Sequence, residues 1–265
     1  MDADRTAFMT SLLDQEEGLG PAEAIQLESV GAAKISPDGE EIAYTVQVPK
    51  NPRETNALPS VELHVYDMEA GTSTPFVTGD VRVSDVQWTP SGRAITFLAQ
   101  REGDEHPVLY QIPRDGGEAR VLYRFETGIS SYDWAPAGRR LVFTALAPRD
   151  EPVSDLPYAP NVYRDDPHHT RAYLVAPRTE SPDPQRLAVE GTVRQVAWSP
   201  AGDRIAVART PTPYIDDFYM SQRIRIVSVE TRQVVESIEN PGKLGELSWS
   251  PDGERLAFIS GADEH

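Results

Sequence analysis

The amino-acid sequence predicts an all-β fold, a β-propeller built from four-stranded antiparallel blades. Three observations support this prediction. A strand–turn–strand phrase recurs five times, a tryptophan precedes the turn in four of the copies, and two further strand patterns follow each of the first four copies. Repeats of roughly 50 residues with four strands each have the size and make-up of propeller blades.

The repeated phrase is a hairpin around a Ser/Thr/Ala–Pro–x–Gly turn. It reads VQWTPSGRAITFL in the second copy and LSWSPDGERLAFI in the fifth. Proline is favoured at the second position and glycine at the fourth position of a type I turn, and the flanking apolar alternation has the period of a strand. The five copies span residues 33–45, 86–98, 132–144, 196–208 and 247–259. Their shared turn residues are Pro37, Pro90, Pro136, Pro200, Pro251, Gly39, Gly92, Gly138, Gly202 and Gly253.

The four tryptophans of the chain all occupy one position of the repeat. Each lies immediately before the turn tetrapeptide, and Ile35 takes that place in the first copy. These tryptophans are Trp88, Trp134, Trp198 and Trp249. A large aromatic side chain at a fixed position in successive units predicts one repeated packing slot.

The repeats also predict the organisation of the chain. Residues 1–27 are expected to form a helical segment, with a helix over about 4–17, and residues 28–265 an incomplete propeller. The predicted blades cover about 28–80, 81–125, 128–190 and 192–240, with a half blade over 243–262. Long insertions at 147–170 in blade three and 210–222 in blade four are candidates for functional loops.

Composition narrows the classes of partner and compartment. The 265 residues carry a formal net charge of −17 and no cysteine. Such a charge disfavours nucleic acid and anionic membrane surfaces as partners, and the missing cysteine rules out disulfides and thiolate metal sites. The N-terminal residues are acidic and lack the basic and apolar regions of a secretory signal, so a cytoplasmic location is expected. A periplasmic location stays possible if a signal was removed.

Two clusters of polar residues in the insertions invite a functional interpretation. His168 and His169 beside Asp165 and Asp166 are a possible metal site, but adjacent side chains point apart, so a solvated loop is favoured. No metal or cofactor is therefore predicted. The Gly-rich stretch 115–120 lacks the Lys–Ser/Thr end of a phosphate-binding loop and is expected to be a hairpin turn.

The second cluster lies in the insertion of blade four. Asp216, Asp217 and Tyr219 are candidate substrate-binding residues, since paired carboxylates can hold a cationic group such as an amino terminus through charge-assisted hydrogen bonds. An exposed acidic loop without a ligand is the favoured alternative.

Repeats of this WSPDGxxLAF type resemble the propeller repeats of TolB and of the prolyl oligopeptidase family of serine peptidases. Residues 24–46 resemble the entry to the first blade of those peptidases. Residues 160–177 and 193–208 resemble a middle blade of the acylaminoacyl-peptidase and dipeptidyl-peptidase branches. The resemblance covers nearly the whole chain and implies a propeller that caps an α/β-hydrolase domain, limits entry to short peptides, and in dipeptidyl peptidases binds the substrate amino terminus through acidic side chains.

This chain departs from the family pattern because it contains no Gly-x-Ser-x-Gly nucleophile elbow; the nearest string, GTSTP at 71–75, lacks the second glycine. No catalytic residue can be assigned, and the chain alone is expected to be inactive. The resemblance implies that the substrates are peptides and that a C-terminal α/β-hydrolase domain, which this sequence does not contain, would cleave them. A homo-oligomer is also possible. Two alternatives stay open: a TolB-like interaction propeller without enzymatic activity, and a propeller enzyme with polar residues in its central channel.

Overall fold

A computed structural model describes residues 20–51, 57–149, 167–240 and 243–261. Within these residues lie four four-stranded antiparallel sheets and one two-stranded sheet. In every sheet, strands adjacent in sequence are also hydrogen-bonded neighbours. The predicted all-β architecture of four-stranded meanders is therefore confirmed. The helix predicted over 4–17 lies outside the described residues, and a short helix, α1 (Pro21–Ala24), precedes the first strand.

We call each four-stranded sheet a blade and the last sheet the half-blade. Blades one and two consist of β1 Ser29–Ile35, β2 Glu41–Val48, β3 Ser60–Asp67, β4 Thr72–Val77, β5 Ser84–Trp88, β6 Ala94–Ala99, β7 Val108–Pro113 and β8 Arg120–Tyr123. Blade three consists of β9 Ser131–Trp134, β10 Leu141–Leu146, β11 Thr170–Val175 and β12 Gln185–Arg186. Blade four and the half-blade consist of β13 Thr192–Trp198, β14 Arg204–Thr210, helix α2 Ile215–Met220, β15 Arg223–Ser228, β16 Val234–Ile238, β17 Leu244–Trp249 and β18 Leu256–Ser260.

The Pro–x–Gly phrases form the turns that join the first and second strand of each sheet. In blade two the Gly92 amide donates to the Thr89 carbonyl at 2.8 Å, which closes the four-residue turn. Gly92 has a φ of +68°, a left-handed conformation that glycine adopts without steric cost. The same bond and a positive φ recur at Gly39, Gly138, Gly202 and Gly253.

These turns also pack on one another from blade to blade. A methyl group placed on Gly92 would lie 3.6 Å from Pro37 of blade one, and one placed on Gly138 would lie 3.7 Å from Pro90 of blade two. Gly202 and Gly253 approach Pro136 and Pro200 in the same way. The proline of one turn thus packs against the glycine of the turn in the next sheet.

The core lies between the blades rather than within them. Four apolar clusters occupy the four gaps between consecutive sheets, and each contains the tryptophan of the later sheet, for example Trp88 between blades one and two. Strand residues alternate between the two neighbouring clusters: Tyr173 and Val175 face blade two, whereas Ala172 and Leu174 face blade four. Both faces of a central blade are therefore apolar, which explains the nearly continuous apolar runs of β6 and β10.

The tryptophan slot has a polar component as well. The indole N–H of Trp88 donates to the Lys34 carbonyl at 2.9 Å, and that of Trp198 donates to the Asp133 carbonyl at 3.0 Å. Each acceptor is the residue immediately before the tryptophan position of the preceding sheet. The packing slot predicted from the sequence thus gives the buried indole N–H an acceptor. Because that acceptor belongs to the preceding sheet, the same bond also holds the two sheets together.

Candidate functional site

The meander places the connections of each blade on two opposite faces. The Pro–x–Gly turns lie on one face, and the connections between second and third strands lie on the other, which we call the loop face. Both long insertions, 147–170 and 210–222, are connections of the second kind. The described ends of the first insertion, 147–149 and 167–170, and the whole of the second therefore lie on the same face of adjacent blades; residues 150–166 lie outside the described part of the chain.

Hydrogen bonds hold the blade-four insertion in a defined conformation. Asp217, in the first turn of α2, accepts hydrogen bonds from the Thr212 amide at 3.0 Å and from the Thr212 hydroxyl. The hydroxyl bond is the main reason why the pKa of Asp217 is lowered. Arg194 of β13 donates to the Pro213 carbonyl at 2.9 Å and lies 5.2 Å from the centre of the Phe218 ring. Asp217 therefore helps to shape the loop.

Asp216 and Tyr219 occupy the exposed part of the same insertion. They are three residues apart on α2, so their side chains leave neighbouring points of one helix side. Tyr219 is 45% exposed, and the Lys243 ammonium group lies 5.1 Å from the centre of its ring. Of the three candidate substrate-binding residues, the structure thus places an acidic and an aromatic side chain at the surface of the loop face and a second carboxylate inside the loop.

The two adjacent histidines have separate partners. His168 Nε2 donates to the Ala147 carbonyl across 2.6 Å, and His169 Nδ1 lies 2.7 Å from the Thr192 hydroxyl. Each ring thus ties the start of β11 to a different segment. In the part of the chain that the structure describes, no group of three or more His, Asp or Glu side chains could hold a metal ion; Asp165 and Asp166 lie outside that part.

Two carboxylates that the sequence analysis did not single out lie on first strands of blades two and three. Asp85 accepts a hydrogen bond from the Tyr132 amide at 3.0 Å, and Asp133 accepts one from the Trp198 amide at 3.0 Å. In each case a side chain satisfies a backbone N–H of the first strand of the next blade. Burial raises the pKa of the Asp85 carboxyl, and burial raises that of Asp133 to about 6.

The backbone at Asp85 is unusual. Its φ is +46°, and its side chain also accepts from the Gln87 amide group at 3.2 Å, which in turn donates to the Tyr132 carbonyl at 2.6 Å. Asp85 and Gln87 together contact both backbone groups of Tyr132, as a neighbouring strand would. These polar residues join blades, and their bonding explains their burial without a ligand.

Two arginines stack on tryptophans at the face that carries the Pro–x–Gly turns. Arg114 follows β7 and lies 5.9 Å from the Trp88 ring centre, while Arg178 follows β11 and lies 4.8 Å from that of Trp134. Each arginine also donates a hydrogen bond to a side chain of the preceding blade. Arg114 donates to the Glu41 carboxylate, and Arg178 donates to the side-chain oxygen of Gln111, both at 2.7 Å. The sequence carries a trace of this arrangement, because a Pro–Arg dipeptide ends the third strand pattern in both blades.

Comparisons with known proteins point to two groups of propellers. No protein-family model matches the chain. The uncharacterized peptidase YuxL of Bacillus subtilis is 28% identical over 236 residues, which are 89% of this chain and 30% of the relative. The putative TolB of Agrobacterium tumefaciens superposes with a TM-score of 0.59 at 18% identity, covering 89% of this chain and 71% of that one. The acylaminoacyl peptidase of Pyrococcus horikoshii superposes with a TM-score of 0.61 at 13% identity, covering 91% of this chain and 37% of that one.

The resemblance predicted from the repeats is confirmed. The chain is similar to the propeller of TolB and to the propeller region of acylaminoacyl peptidases, and the predicted propeller fold is confirmed with it. The chain spans less than a third of the length of the curated peptidase that it matches. No helix among the described residues is long and apolar enough to cross a membrane.

Proposed function

We propose that this chain is the propeller region of a serine peptidase of the prolyl oligopeptidase family, and that it restricts and selects short peptide substrates without catalysing their hydrolysis. The observation that carries the proposal is the 28% identity to a peptidase over 89% of the chain. The absence of a Gly-x-Ser-x-Gly sequence among the 265 residues supports a role other than that of nucleophile donor. Acyl transfer would then depend on a Ser–His–Asp set outside these residues.

The blade-to-blade contacts suit such a role. Selection by size needs a scaffold that keeps its shape, and each pair of consecutive sheets shares an apolar cluster and a tryptophan hydrogen bond. The blade-four insertion, which lies on one face of this scaffold and is held by its own hydrogen bonds, can then contact a substrate with a fixed geometry. In this proposal the loop face is the side that meets the peptide.

Within the loop face, we assign the contact with the peptide amino terminus to Asp216 and Tyr219. A carboxylate can accept charge-assisted hydrogen bonds from an ammonium group. The exposed Tyr219 ring, which already has the Lys243 ammonium group 5.1 Å from its centre, offers apolar contact area beside that carboxylate. Asp217 takes the supporting part, since its carboxylate already binds Thr212 and fixes the start of α2. This division of roles distinguishes two carboxylates that are adjacent in sequence.

A reactivity experiment tests the peptidase assignment. A fluorophosphonate probe should label the product of the complete open reading frame that contains this sequence, and that product should hydrolyse aminoacyl-p-nitroanilides. The 265-residue chain should show neither property. Labelling or turnover by the chain alone, after a mock purification has excluded a contaminating hydrolase, would contradict the non-catalytic role. A full product without serine reactivity and without hydrolysis would contradict the peptidase assignment.

A substitution experiment tests the loop assignment. In the full product, Asp216→Asn should raise KM for peptides with a free amino terminus about tenfold, as expected for one lost charged hydrogen bond, and should leave kcat and N-acetylated peptides unchanged. Asp115→Asn, in a turn on the opposite face, is the matched control. Equal KM values for Asp216→Asn and the control would remove Asp216 from the substrate site.

A TolB-like interaction propeller is the second candidate function. It is favoured by one specific observation: the superposition on the putative TolB of Agrobacterium tumefaciens covers 71% of that chain, against 37% of the acylaminoacyl peptidase. This candidate predicts a complete open reading frame that encodes further blades and no Gly-x-Ser-x-Gly. Affinity capture on the intact product would then recover a stoichiometric protein partner, and the fluorophosphonate probe would label nothing.

A further inference from the structure

Three arginine side chains lie together at the loop-face end of blade four. Arg209 of β14 is the cross-strand partner of Arg223 at the start of β15, and Arg225 follows two residues later on the same side of the sheet. We call these three residues the arginine cluster. Since Arg209 and Arg223 flank the 210–222 insertion, the cluster lies at the base of the loop that carries Asp216.

The arginine cluster faces the gap between blades three and four. Val207, the cross-strand partner of Arg225, belongs to the apolar cluster that fills this gap. So does Val193, the partner of Arg209 on the other neighbouring strand. The side chains of Arg223 and Arg225 are only 30% and 17% exposed. The three guanidinium groups are therefore held at the edge of a packed interface and are partly withdrawn from water.

Glu239 shows which kind of anion suits this cluster. One oxygen of its carboxylate lies 3.2 Å from Arg223 Nε, and the other lies 3.0 Å from Arg225 Nη1. One carboxylate thus bridges two guanidinium groups, and the planar arginine fork matches such an anion well. Because Glu239 follows β16, the outermost strand of the blade, it reaches the cluster from that side.

Arg209 lies on the inner side of the cluster and has no such partner. Among the described residues, no oxygen accepts a hydrogen bond from its guanidinium group, and no carboxylate forms an ion pair with it. Burial, and after it the charge of Arg225, lowers the pKa of Arg209, although Glu190 and Glu239 act in the opposite direction. The guanidinium group still carries its charge at neutral pH.

This arrangement carries an electrostatic cost. Like charges directly opposite each other on neighbouring strands destabilise a sheet, and Arg209 and Arg223 are such a pair. The chain has 42 Asp and Glu residues against 25 Lys and Arg, so carboxylates are in excess. Nevertheless Glu239 is the only described residue that forms ion pairs with the three arginines. A second carboxylate, placed between Arg209 and Arg223, would offset their repulsion.

We propose that the arginine cluster is a carboxylate-binding subsite, in which Arg209 and Arg223 hold a carboxylate of a peptide ligand in the way that Arg223 and Arg225 hold that of Glu239. The carboxylate belongs to the C-terminus of the peptide or to an acidic side chain. That the ligand is a peptide rests on the proposed function, in which the loop face meets the substrate. The carboxylate chemistry follows from the arginines alone.

An NMR titration of the 265-residue chain tests this subsite. The reporters are the side-chain Nε–H resonances of Arg209 and Arg223, recorded at low ionic strength, where charges are least screened. The probes are N-acetylated, so that no ammonium group can bind Asp216: tetra-alanine with a free C-terminal carboxylate, tetra-alanine amide, and Ala-Glu-Ala amide. At least one carboxylate peptide should shift both resonances and saturate, whereas tetra-alanine amide should not. The peptide that binds more tightly identifies the source of the carboxylate.

Arg209→Gln is the decisive variant, and Arg186→Gln is its matched control. Both remove one positive charge, but Arg186 is the cross-strand partner of Tyr173, which faces blade two. Followed at Arg223, Arg209→Gln should weaken binding of the carboxylate peptide about tenfold, the effect of one lost charge-assisted hydrogen bond. Arg186→Gln should leave binding unchanged. Because Arg209 has no partner to lose, Arg209→Gln should not lower the melting temperature of the free chain.

Four results would overturn the proposal. They are the absence of a response to both carboxylate peptides, equal weakening by Arg186→Gln and Arg209→Gln, tighter binding of inorganic phosphate than of either peptide, and a lower melting temperature of Arg209→Gln than of the wild type. The titration needs no catalytic domain. A full product that does not react with the fluorophosphonate probe would therefore contradict the peptidase assignment and leave the carboxylate subsite standing.

Discussion

The indole Nε1 of Trp134 donates to the hydroxyl of Thr96 at 3.0 Å, whereas the other three tryptophans donate directly to a backbone carbonyl. Thr96 lies eight residues after Trp88, a position that Ala43, Val142 and Ala206 occupy in other blades. Its hydroxyl donates in turn to the Gln87 carbonyl at 3.2 Å, which is the acceptor that the repeat would otherwise use directly. Thr96 thus relays the bond that joins blades two and three.

Replacing Thr96 with valine should destabilise the protein more than a single lost hydrogen bond would. The Thr96 hydroxyl also accepts from the Tyr132 hydroxyl at 2.9 Å, and Thr96 is fully buried. Valine keeps the shape and leaves two buried donors without an acceptor, at roughly 1–3 kcal/mol each. We expect the free energy of unfolding in urea, followed by tryptophan fluorescence, to fall by about 3 kcal/mol.

Thr96→Ser is the matched control for this substitution. It keeps the hydroxyl and removes one buried methyl group, so it should cost only about 1 kcal/mol. If Thr96→Val and Thr96→Ser were equally stable, the relay would contribute nothing and the indole of Trp134 would find the Gln87 carbonyl directly.

Two glycines with the same backbone conformation should respond very differently to alanine. Gly191 and Gly39 have φ values of +78° and +79°. A Cβ on Gly191 would meet the Thr210 carbonyl oxygen well inside van der Waals contact, whereas one on Gly39 would meet nothing within 4 Å. Gly39→Ala should therefore cost only the left-handed penalty of about 1–2 kcal/mol. Gly191→Ala should cost several kilocalories per mole more, because two backbone segments must separate.

Thermal unfolding of the two alanine variants measures this difference. A melting temperature for Gly191→Ala equal to that for Gly39→Ala would show that the 190–192 segment can move away from Thr210 at little cost. Because the two variants share the strain of a positive φ, their difference isolates the close approach of the chain before β13.

The features that the sequence predicted are those that a local pattern determines. Pro37 and Gly39 prescribe a turn by their own backbone preferences, and the alternation around Trp88 prescribes a strand on each side of a turn. The single slot of the tryptophans was predictable because their offset from the turn is constant. Since all of these signals lie within about 15 residues, they need no knowledge of how the sheets are arranged.

The features that the sequence did not predict depend on the register between blades. Asp85 and Asp133 look like ordinary polar positions of a strand, and only the neighbouring blade makes them acceptors for buried amides. Asp217 looks equivalent to Asp216, and only the fold of the insertion turns one of them toward Thr212. The roles of these carboxylates were therefore not accessible from residue type and spacing alone.

Arg114 should control the acidity of a carboxyl group on the neighbouring blade. It donates to Asp38, and the pKa of Asp38 lies at about 2 because of the Ser36 hydroxyl, Arg114 and the Glu40 amide, in that order of importance. Arg114→Gln should raise this pKa only part of the way to 3.8, since the Ser36 and Glu40 bonds remain. NMR titration of the Asp38 side-chain carboxyl carbon measures the change.

Arg178→Gln is the control, because Arg178 stacks on Trp134 in the same way but contacts no carboxylate of blade one. It should leave the pKa of Asp38 unchanged. A depressed pKa contributes stability above pH 3.8 that is lost as the pH falls through 2, so the stabilities of Arg114→Gln and the wild type should converge in strong acid. Identical pKa values of Asp38 in all three proteins would show that the ion pair between Arg114 and Asp38 does not stabilise the charged carboxylate in solution.

Asp133 should make the protein less stable at neutral pH than it would be with an uncharged side chain. Burial raises the pKa of Asp133 to about 6, above the value of 3.8 for an exposed aspartate. The stabilising contribution of the protonated form is complete below about pH 4 and is lost as the pH rises through 6. Asp133→Asn keeps an oxygen that accepts from the Trp198 amide, so it should raise the free energy of unfolding at pH 7.5 by about 2–3 kcal/mol.

The pH dependence separates this effect from a general change in surface charge. At pH 4 the Asp133→Asn variant and the wild type should unfold at the same urea concentration, and the two curves should diverge between pH 4 and 7. Asp115→Asn removes a charge from an exposed turn and should follow the wild type throughout. A constant difference at every pH would instead mean that the carboxyl of Asp133 keeps one protonation state across this range, and that the Trp198 bond alone sets its contribution.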